Sequence, residues 1–148
     1  MQSETGETIV GTWRLEYFEL QAPDGSVTHP YGEQVNGYLV YSPEGIMSAA
    51  FMRADRGSEV SQDLAQAETA PAWDAFMAYS GPYRVEGDRI VHDVEVSSLA
   101  VWIGTVQERW FKIDGDALIL HTAPLSVGET APVGRLVWRR VGAGVDLP

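Results

Sequence analysis

One histidine and one arginine fall on alternating, otherwise apolar segments, and both can do proton or charge work. His92 lies in Arg89-Ile90-Val91-His92-Asp93-Val94, and Arg109 in Gln107-Glu108-Arg109-Trp110-Phe111. An imidazole on an apolar wall titrates near neutral pH and serves as acid or base, while a guanidinium beside it stabilises developing negative charge. His92 has a second reading as a core histidine satisfied by Tyr83 or a backbone carbonyl. Arg109 and Gln107, if turned inward, need partners, because a buried unpaired guanidinium is costly. A ligand carboxylate, enolate or carbonyl supplies one; an internal carboxylate such as Glu16, or a tyrosine hydroxyl, is the structural alternative.

Other chemistries are disfavoured. The chain has no cysteine, which removes thiolate nucleophiles, redox pairs and zinc-thiolate sites. His29, His92 and His121 show no pairing at two- or four-residue spacing, and His92 and Glu95 fall on opposite faces of a strand, so no metal site is expected. Neither a glycine-rich phosphate cradle leading into a helix nor a Gly-x-Ser-x-Gly elbow is present, so no cofactor is expected. Twenty-one Asp and Glu against ten Lys and Arg give a net charge of -11, without the basic stripe that nucleic acid or an anionic membrane requires. Residues 1–8 carry neither a basic segment nor an apolar run, so no secretory signal or spanning helix is expected and the default location is the cytoplasm.

His92 and Arg109 can act together only if strands hold them to a common interior. At 148 residues and 45% apolar side chains, the chain suits one domain over 1–148 that buries a core without disulfide or metal. Two-residue alternation between Gly, Pro and Asp turns predicts eight strands, at roughly 10–20, 35–42, 46–53, 82–86, 89–97, 104–113, 116–123 and 133–141. Eight sequential strands suffice to close an all-β, up-and-down antiparallel barrel with room for one small ligand; a two-sheet sandwich is the competing architecture. A two-residue loop at Asp114-Gly115 sets Phe111 opposite Leu118, Arg109 opposite Leu120 and Gln107 opposite Thr122, with Glu108 and His121 as an outer-face pair. A loop at Gly87-Asp88 sets Val85 opposite Ile90 and Tyr83 opposite His92, so His92, Gln107 and Arg109 share the inward side. Ser42-Pro43-Glu44-Gly45 is a turn whose closure with or without a bulge leaves the facing of its hairpin open.

Between the third and fourth strands, Trp73, Phe76, Met77 and Ser80 recur at helical spacing, with Thr69 as cap and Pro71 in the first turn. This predicts a loop plus one short helix over about 57–80, either a packing helix or a lid. Five Trp, six Tyr and four Phe suit a cavity that stacks flat ligands. Trp13 and Trp138 are expected to plug one end, and Tyr17, Tyr38, Tyr41, Phe51 and Trp102 to line the open part with Phe111 and Gln107. The hydroxyls of Tyr41 and Tyr83 are candidates for fixing a ligand carbonyl.

Gly11-Thr12-Trp13, opening the first strand after Ile9-Val10, resembles the Gly-x-Trp signature of the lipocalin superfamily. The arginines of Gly134-Arg135-Leu136-Val137-Trp138-Arg139-Arg140 are the kind such barrels pack over that tryptophan to close one end. His29-Pro30-Tyr31-Gly32, Gly37-Tyr38-Leu39-Val40-Tyr41 and Gly45-Ile46-Met47-Ser48 resemble the small bacterial and fungal lipocalin-like domain family. Tyr79-x-Gly81-x-Tyr83, His92-x-Val94-Glu95-Val96-Ser97 and Trp102-x-Gly104-Thr105-x-Gln107-x-Arg109-x-Phe111 extend the match over about 9–141. The resemblance implies a barrel holding a small, largely apolar molecule. Some lipocalin-like barrels encoded beside natural-product pathways are similar in size and act without cofactors as cyclases or isomerases.

Two functions follow as expectations. In the first, the cavity binds an aromatic or polyketide-like molecule whose polar end is fixed by His92, Gln107 and Arg109. In the second, the same wall makes a cofactor-independent isomerase, cyclase or lyase, with His92 as acid or base and Arg109 stabilising negative charge. A homodimer through the outer sheet face or the helix, without ligand, is a structural alternative.

Overall fold

Alternating apolar residues build ten antiparallel strands: β1 (Gly11–Gln21), β2 (Val27–Thr28), β3 (Val35–Tyr41), β4 (Ile46–Arg53), β5 (Phe76–Glu86), β6 (Arg89–Asp93), β7 (Val96–Ser97), β8 (Val106–Asp114), β9 (Ala117–Thr122) and β10 (Val133–Arg140). The computed structural model describes residues 9–56, 76–125 and 131–142. The longer strands run β1-β3-β4-β5-β6-β8-β9-β10, and β10 returns to β1, closing an eight-stranded barrel without a free edge. The two-residue strands β2 and β7 are appended to β1 and β5. A single turn of 3-10 helix spans Ala100–Trp102. Among the described residues no helix is long and apolar enough to cross a membrane.

Period-two burial carries the core. Leu118, Leu120 and Thr122 on β9, Leu136 and Trp138 on β10, and Leu39 and Tyr41 on β3 turn inward and are buried. One irregularity resets the pattern on β1, where the register to β10 slips between Leu15 and Tyr17. Before this bulge Trp13 and Leu15 are buried; after it Phe18 and Leu20 face in, and Tyr17 is thrown outward. Glu16 lies on the outside as well, 2.8 Å from the Arg139 guanidinium, so it is no partner for Arg109.

The turns fix the remaining registers. Gly87-Asp88 pairs Tyr83 with His92 and Val85 with Ile90, as expected. At the next hairpin the loop is Gly115-Asp116 rather than Asp114-Gly115, so Phe111 faces Leu120, Arg109 faces Thr122 and Trp110, not Glu108, faces His121. Of the two loop residues only Gly115 has positive φ, at 62°, the pattern of a II′ turn with glycine first. The slide is two residues, which preserves every inward and outward assignment. The Ser42 turn closes with a positive-φ glycine, Gly45 at 96°, and brings Tyr41 opposite Met47, so Leu39, Tyr41, Met47 and Ala49 face in.

The expected helix is corrected where it is described. Phe76 to Ser80 form the start of β5 and pair along β4 from Met52↔Phe76 to Ser48↔Ser80. An eight-residue β4 needs a partner along its length, since unpaired ladder groups are costly. The rest of the segment, residues 57–75 with Thr69, Pro71 and Trp73, lies outside the described residues. Further along β5, Gly81 permits a close crossing: a Cβ there would stand 1.8 Å from the Asp93 carbonyl oxygen. The chain leaving His92 thus lies directly against β5, with Glu95 N–H donating to Ser80 O at 2.9 Å.

Candidate functional site

The barrel is filled at one end and hollow at the other. At the filled end Trp13, Tyr41, Met47, Ile90 and Leu118 are fully buried, and the Arg140 guanidinium lies 4.1 Å from the Trp13 ring centroid. The Trp13 indole donates to Ile9 O at 3.0 Å. Toward the other end opens a cavity of about 420 Å³ walled by Phe18, Leu20, Pro30, Tyr31, Leu39, Ala49, Phe51, Met77, Leu99, Trp102, Leu125, Leu136 and Trp138. Small-molecule sites typically measure roughly 300–1,000 Å³.

Four adjacent strands bring polar side chains to this cavity, Tyr79 on β5, His92 on β6, Arg109 on β8 and Thr122 on β9, and Tyr31 adds a hydroxyl from the loop before β3. The facing wall, from β1, β3, β4 and β10, is apolar and aromatic. A molecule with one greasy face and one polar edge has a single good orientation in such a container.

His92 is 1% exposed and sits between two tyrosine hydroxyls, Tyr41 at 2.7 Å from Nε2 and Tyr79 at 2.9 Å from Nδ1. A neutral imidazole has one donor and one acceptor nitrogen, so one tyrosine donates to it and the other accepts. Burial, reinforced by the Arg109 charge, holds His92 well below the usual histidine range. Burial likewise pushes the Tyr41 hydroxyl well above its usual range. At neutral pH His92 and Tyr41 are therefore uncharged, and both ring nitrogens of His92 are hydrogen-bonded. Arg109 is 6% exposed, donates from Nη1 to Glu108 O at 2.9 Å, and has its guanidinium carbon 5.8 Å from the Trp102 ring centroid.

The sign of the pH effect follows. The unfolded chain protonates His92 near its ordinary value of 6.5, whereas the folded chain resists protonation. Above that pH no penalty exists; as pH falls below it, the unfolded state binds the extra proton and stability drops, by up to about 1.4 kcal/mol per pH unit for one group. Urea unfolding at pH 7.5, 6.0 and 5.0 should show this slope in the native chain and a shallower one in His92→Gln; parallel slopes would contradict a neutral buried imidazole.

The candidate residues separate by height along the barrel as much as by facing. Phe51 and Trp102 line the cavity with His92 and Arg109. Tyr41 lies behind His92, fully buried, and reaches the site only through it. Tyr83 packs 4.8 Å from Tyr41 and donates to Ser42 O at 2.8 Å, bracing a turn instead of lining the cavity. Phe111 packs against the core cluster and does not line the cavity either. Gln107 donates to Thr105 Oγ1 at 3.0 Å, and Thr105 in turn donates to Trp102 O at 2.6 Å, so Gln107 supports the Trp102 turn from below. Tyr38 is on the outer face, taking a 2.8 Å hydrogen bond from Arg14 Nη1, because Gly37 and Leu39 occupy the inward positions. Tyr17 is outside too, its hydroxyl donating to Glu19.

Trp138, expected beside Trp13 at the plug, instead faces the cavity, edge-on to Phe51 at 6.2 Å, and its buried Nε1–H has no hydrogen-bond partner among the described residues. Tyr79 and Met77 were hidden by the helical spacing of 73–80. The alternation Met77, Tyr79, Gly81 is the signal that places them inward.

A family model for a lipocalin-like domain matches residues 10–141. The chain is 36% identical over 107 residues to a 4'-hydroxy-3'-methoxypropiophenone carrier protein of Aspergillus oryzae, an alignment covering 64% of this chain and 96% of that protein. The crystal structure of Rv2717c from M. tuberculosis is similar at a TM-score of 0.41 with 14% identity, over 95% of this chain and 97% of that one.

Proposed function

This chain belongs to the lipocalin-like domain family, and on that premise we propose that it is a carrier whose barrel holds a small, largely apolar aromatic molecule. The observation that carries the reading is the two-sided cavity of about 420 Å³, with aromatic side chains on one wall and Tyr79, His92 and Arg109 on the other. Flat rings gain from stacking against Phe51 and Trp102, while an oxygen on the ring edge meets the polar wall. The carrier role of the Aspergillus relative supports the same reading, since the compound in its name joins an aromatic ring, a hydroxyl and a ketone. The excess of acidic side chains supports a partner other than nucleic acid.

The test is a titration with 4'-hydroxy-3'-methoxypropiophenone followed by tryptophan fluorescence, which Trp102 and Trp138 report from the cavity wall. Saturable quenching with a dissociation constant in the micromolar range or tighter is expected; no saturation with this compound or with related aryl ketones would remove the carrier reading.

A second reading, a cofactor-free isomerase, cyclase or lyase, draws on the Tyr79–His92 contact, through which a proton could pass between ligand and imidazole. Both ring nitrogens of His92 are already engaged by tyrosines, which favours holding the ligand over converting it. Chromatography of the compound before and after prolonged incubation distinguishes the two: recovery unchanged supports carriage, and a new product supports conversion.

A further inference from the structure

Resting on the carrier reading, we propose that the cavity selects aromatic ligands in their ionised form, a phenolate or related ring-borne oxyanion, with Arg109 as the counter-ion.

Several outer arginines have carboxylate partners, whereas the inner one, Arg109, has none among the described residues. Arg84 pairs with Glu86 at 2.6 Å, Arg89 with Glu86 at 2.8 Å and Arg139 with Glu16 at 2.8 Å, all on the surface. Arg109, more deeply buried than any of them, has no carboxylate within ion-pair distance among the described residues. Its guanidinium carries five N–H groups, and the one hydrogen bond it makes among the described residues, to Glu108 O, goes to a neutral carbonyl. Such a charge at the wall of an apolar cavity calls for an anion, because desolvating an uncompensated guanidinium is costly.

The neighbouring groups do not supply one. The titratable side chains that line the cavity with it or bond to that lining are His92 from β6, Tyr79 from β5, Tyr41 from β3 and Tyr31 from the loop before β3, none of them a carboxylate. Thr122 from β9 spends its hydroxyl on Ala123 O at 2.7 Å and accepts from Gly134 N–H at 2.9 Å. Leu120, Leu136 and Trp138, which also line the cavity, offer no acceptor. An oxyanion accepting from Arg109 completes the wall, with the Trp102 ring 5.8 Å from the guanidinium carbon. When the ligand arrives as a neutral phenol, its O–H bond ionises and the proton goes to buffer. His92 does not take it, since burial and Arg109 itself keep the imidazole neutral.

The probe pair is 4-nitrophenol and its methyl ether 4-nitroanisole, which matches it in shape and cannot ionise. Both are titrated into the full chain at a pH where free 4-nitrophenol is about half ionised, with tryptophan quenching reading affinity and the nitrophenolate absorption band reading the ionisation state of the bound molecule. Expected are a preference of about tenfold or more for 4-nitrophenol and a bound species absorbing as phenolate, which at tenfold corresponds to a downward shift of about one pH unit in its titration. In Arg109→Gln the preference between the probes should shrink to within about twofold. Equal binding of both, with bound 4-nitrophenol protonated, overturns the inference and leaves the carrier reading standing. Binding of neither removes the carrier reading and this inference with it. The native comparison decides the matter even if the variant fails to fold.

Discussion

Replacing Ala49 by Phe should abolish ligand binding while leaving the barrel folded. Ala49 lies on β4, 4% exposed, between Leu39 on β3 and Tyr79 on β5, with its methyl group at the cavity wall. A phenyl group added there has one direction to grow, into the space a ligand ring would occupy. Overpacking a filled core costs roughly 1–3 kcal/mol, but an inserted ring that fills empty space meets little of that opposition. The expected result is a fall in affinity for 4'-hydroxy-3'-methoxypropiophenone of about a hundredfold or more, about 2.8 kcal/mol, with a melting temperature equal to or above that of the native chain. Fluorescence titration and thermal melts of the two proteins check it; native affinity in the variant would place the ligand outside the barrel.

The second large effect belongs to the tyrosine–histidine chain. In His92→Leu a side chain of similar bulk fills the position, but the Tyr41 hydroxyl, fully buried, loses the partner 2.7 Å away. An orphaned buried hydroxyl costs about 1–3 kcal/mol, and Tyr79 loses a second bond at 2.9 Å. We expect His92→Leu to lower unfolding free energy by about 2–4 kcal/mol. Removing the orphan should then repair part of the damage: Tyr41→Phe should destabilise the native chain yet be neutral or stabilising in the His92→Leu background. Urea unfolding of the four proteins gives the coupling, expected at about 1–3 kcal/mol; strict additivity would mean that the two groups do not act through each other.

Facing was legible in the sequence, and height was not. Alternation reports which side of a strand a residue occupies, and so it placed His92 and Arg109 inward even though the Gly115 turn slid by two residues. It does not report whether an inward residue lies at the packed end or the hollow one. That is why Tyr83 and Phe111, both on the inner side, contribute to packing and turn support instead of the cavity. Gln107 escaped for a related reason, because a polar residue near the site can serve as a brace, as its bond to Thr105 does.

Two further departures have local causes. The bulge after Leu15 carries no marker such as glycine, so the alternation Trp13, Leu15, Tyr17 reads as continuous although the chain switches face. Tyr79, which lines the cavity beside His92, is masked because Trp73, Phe76, Met77 and Ser80 recur at helical spacing and hide the two-residue alternation Met77, Tyr79, Gly81. The closed barrel demands that β4 be paired, a long-range requirement that a local window does not contain.

The most direct test is a crystal structure of the protein grown with 4'-hydroxy-3'-methoxypropiophenone. The account predicts the ring inside the barrel, within about 4 Å of Phe51 and Trp102, with an oxygen about 2.7–3.2 Å from Arg109 or Tyr79. Density for the compound on the outer face, or a saturated complex whose barrel interior holds none of it, would contradict the account.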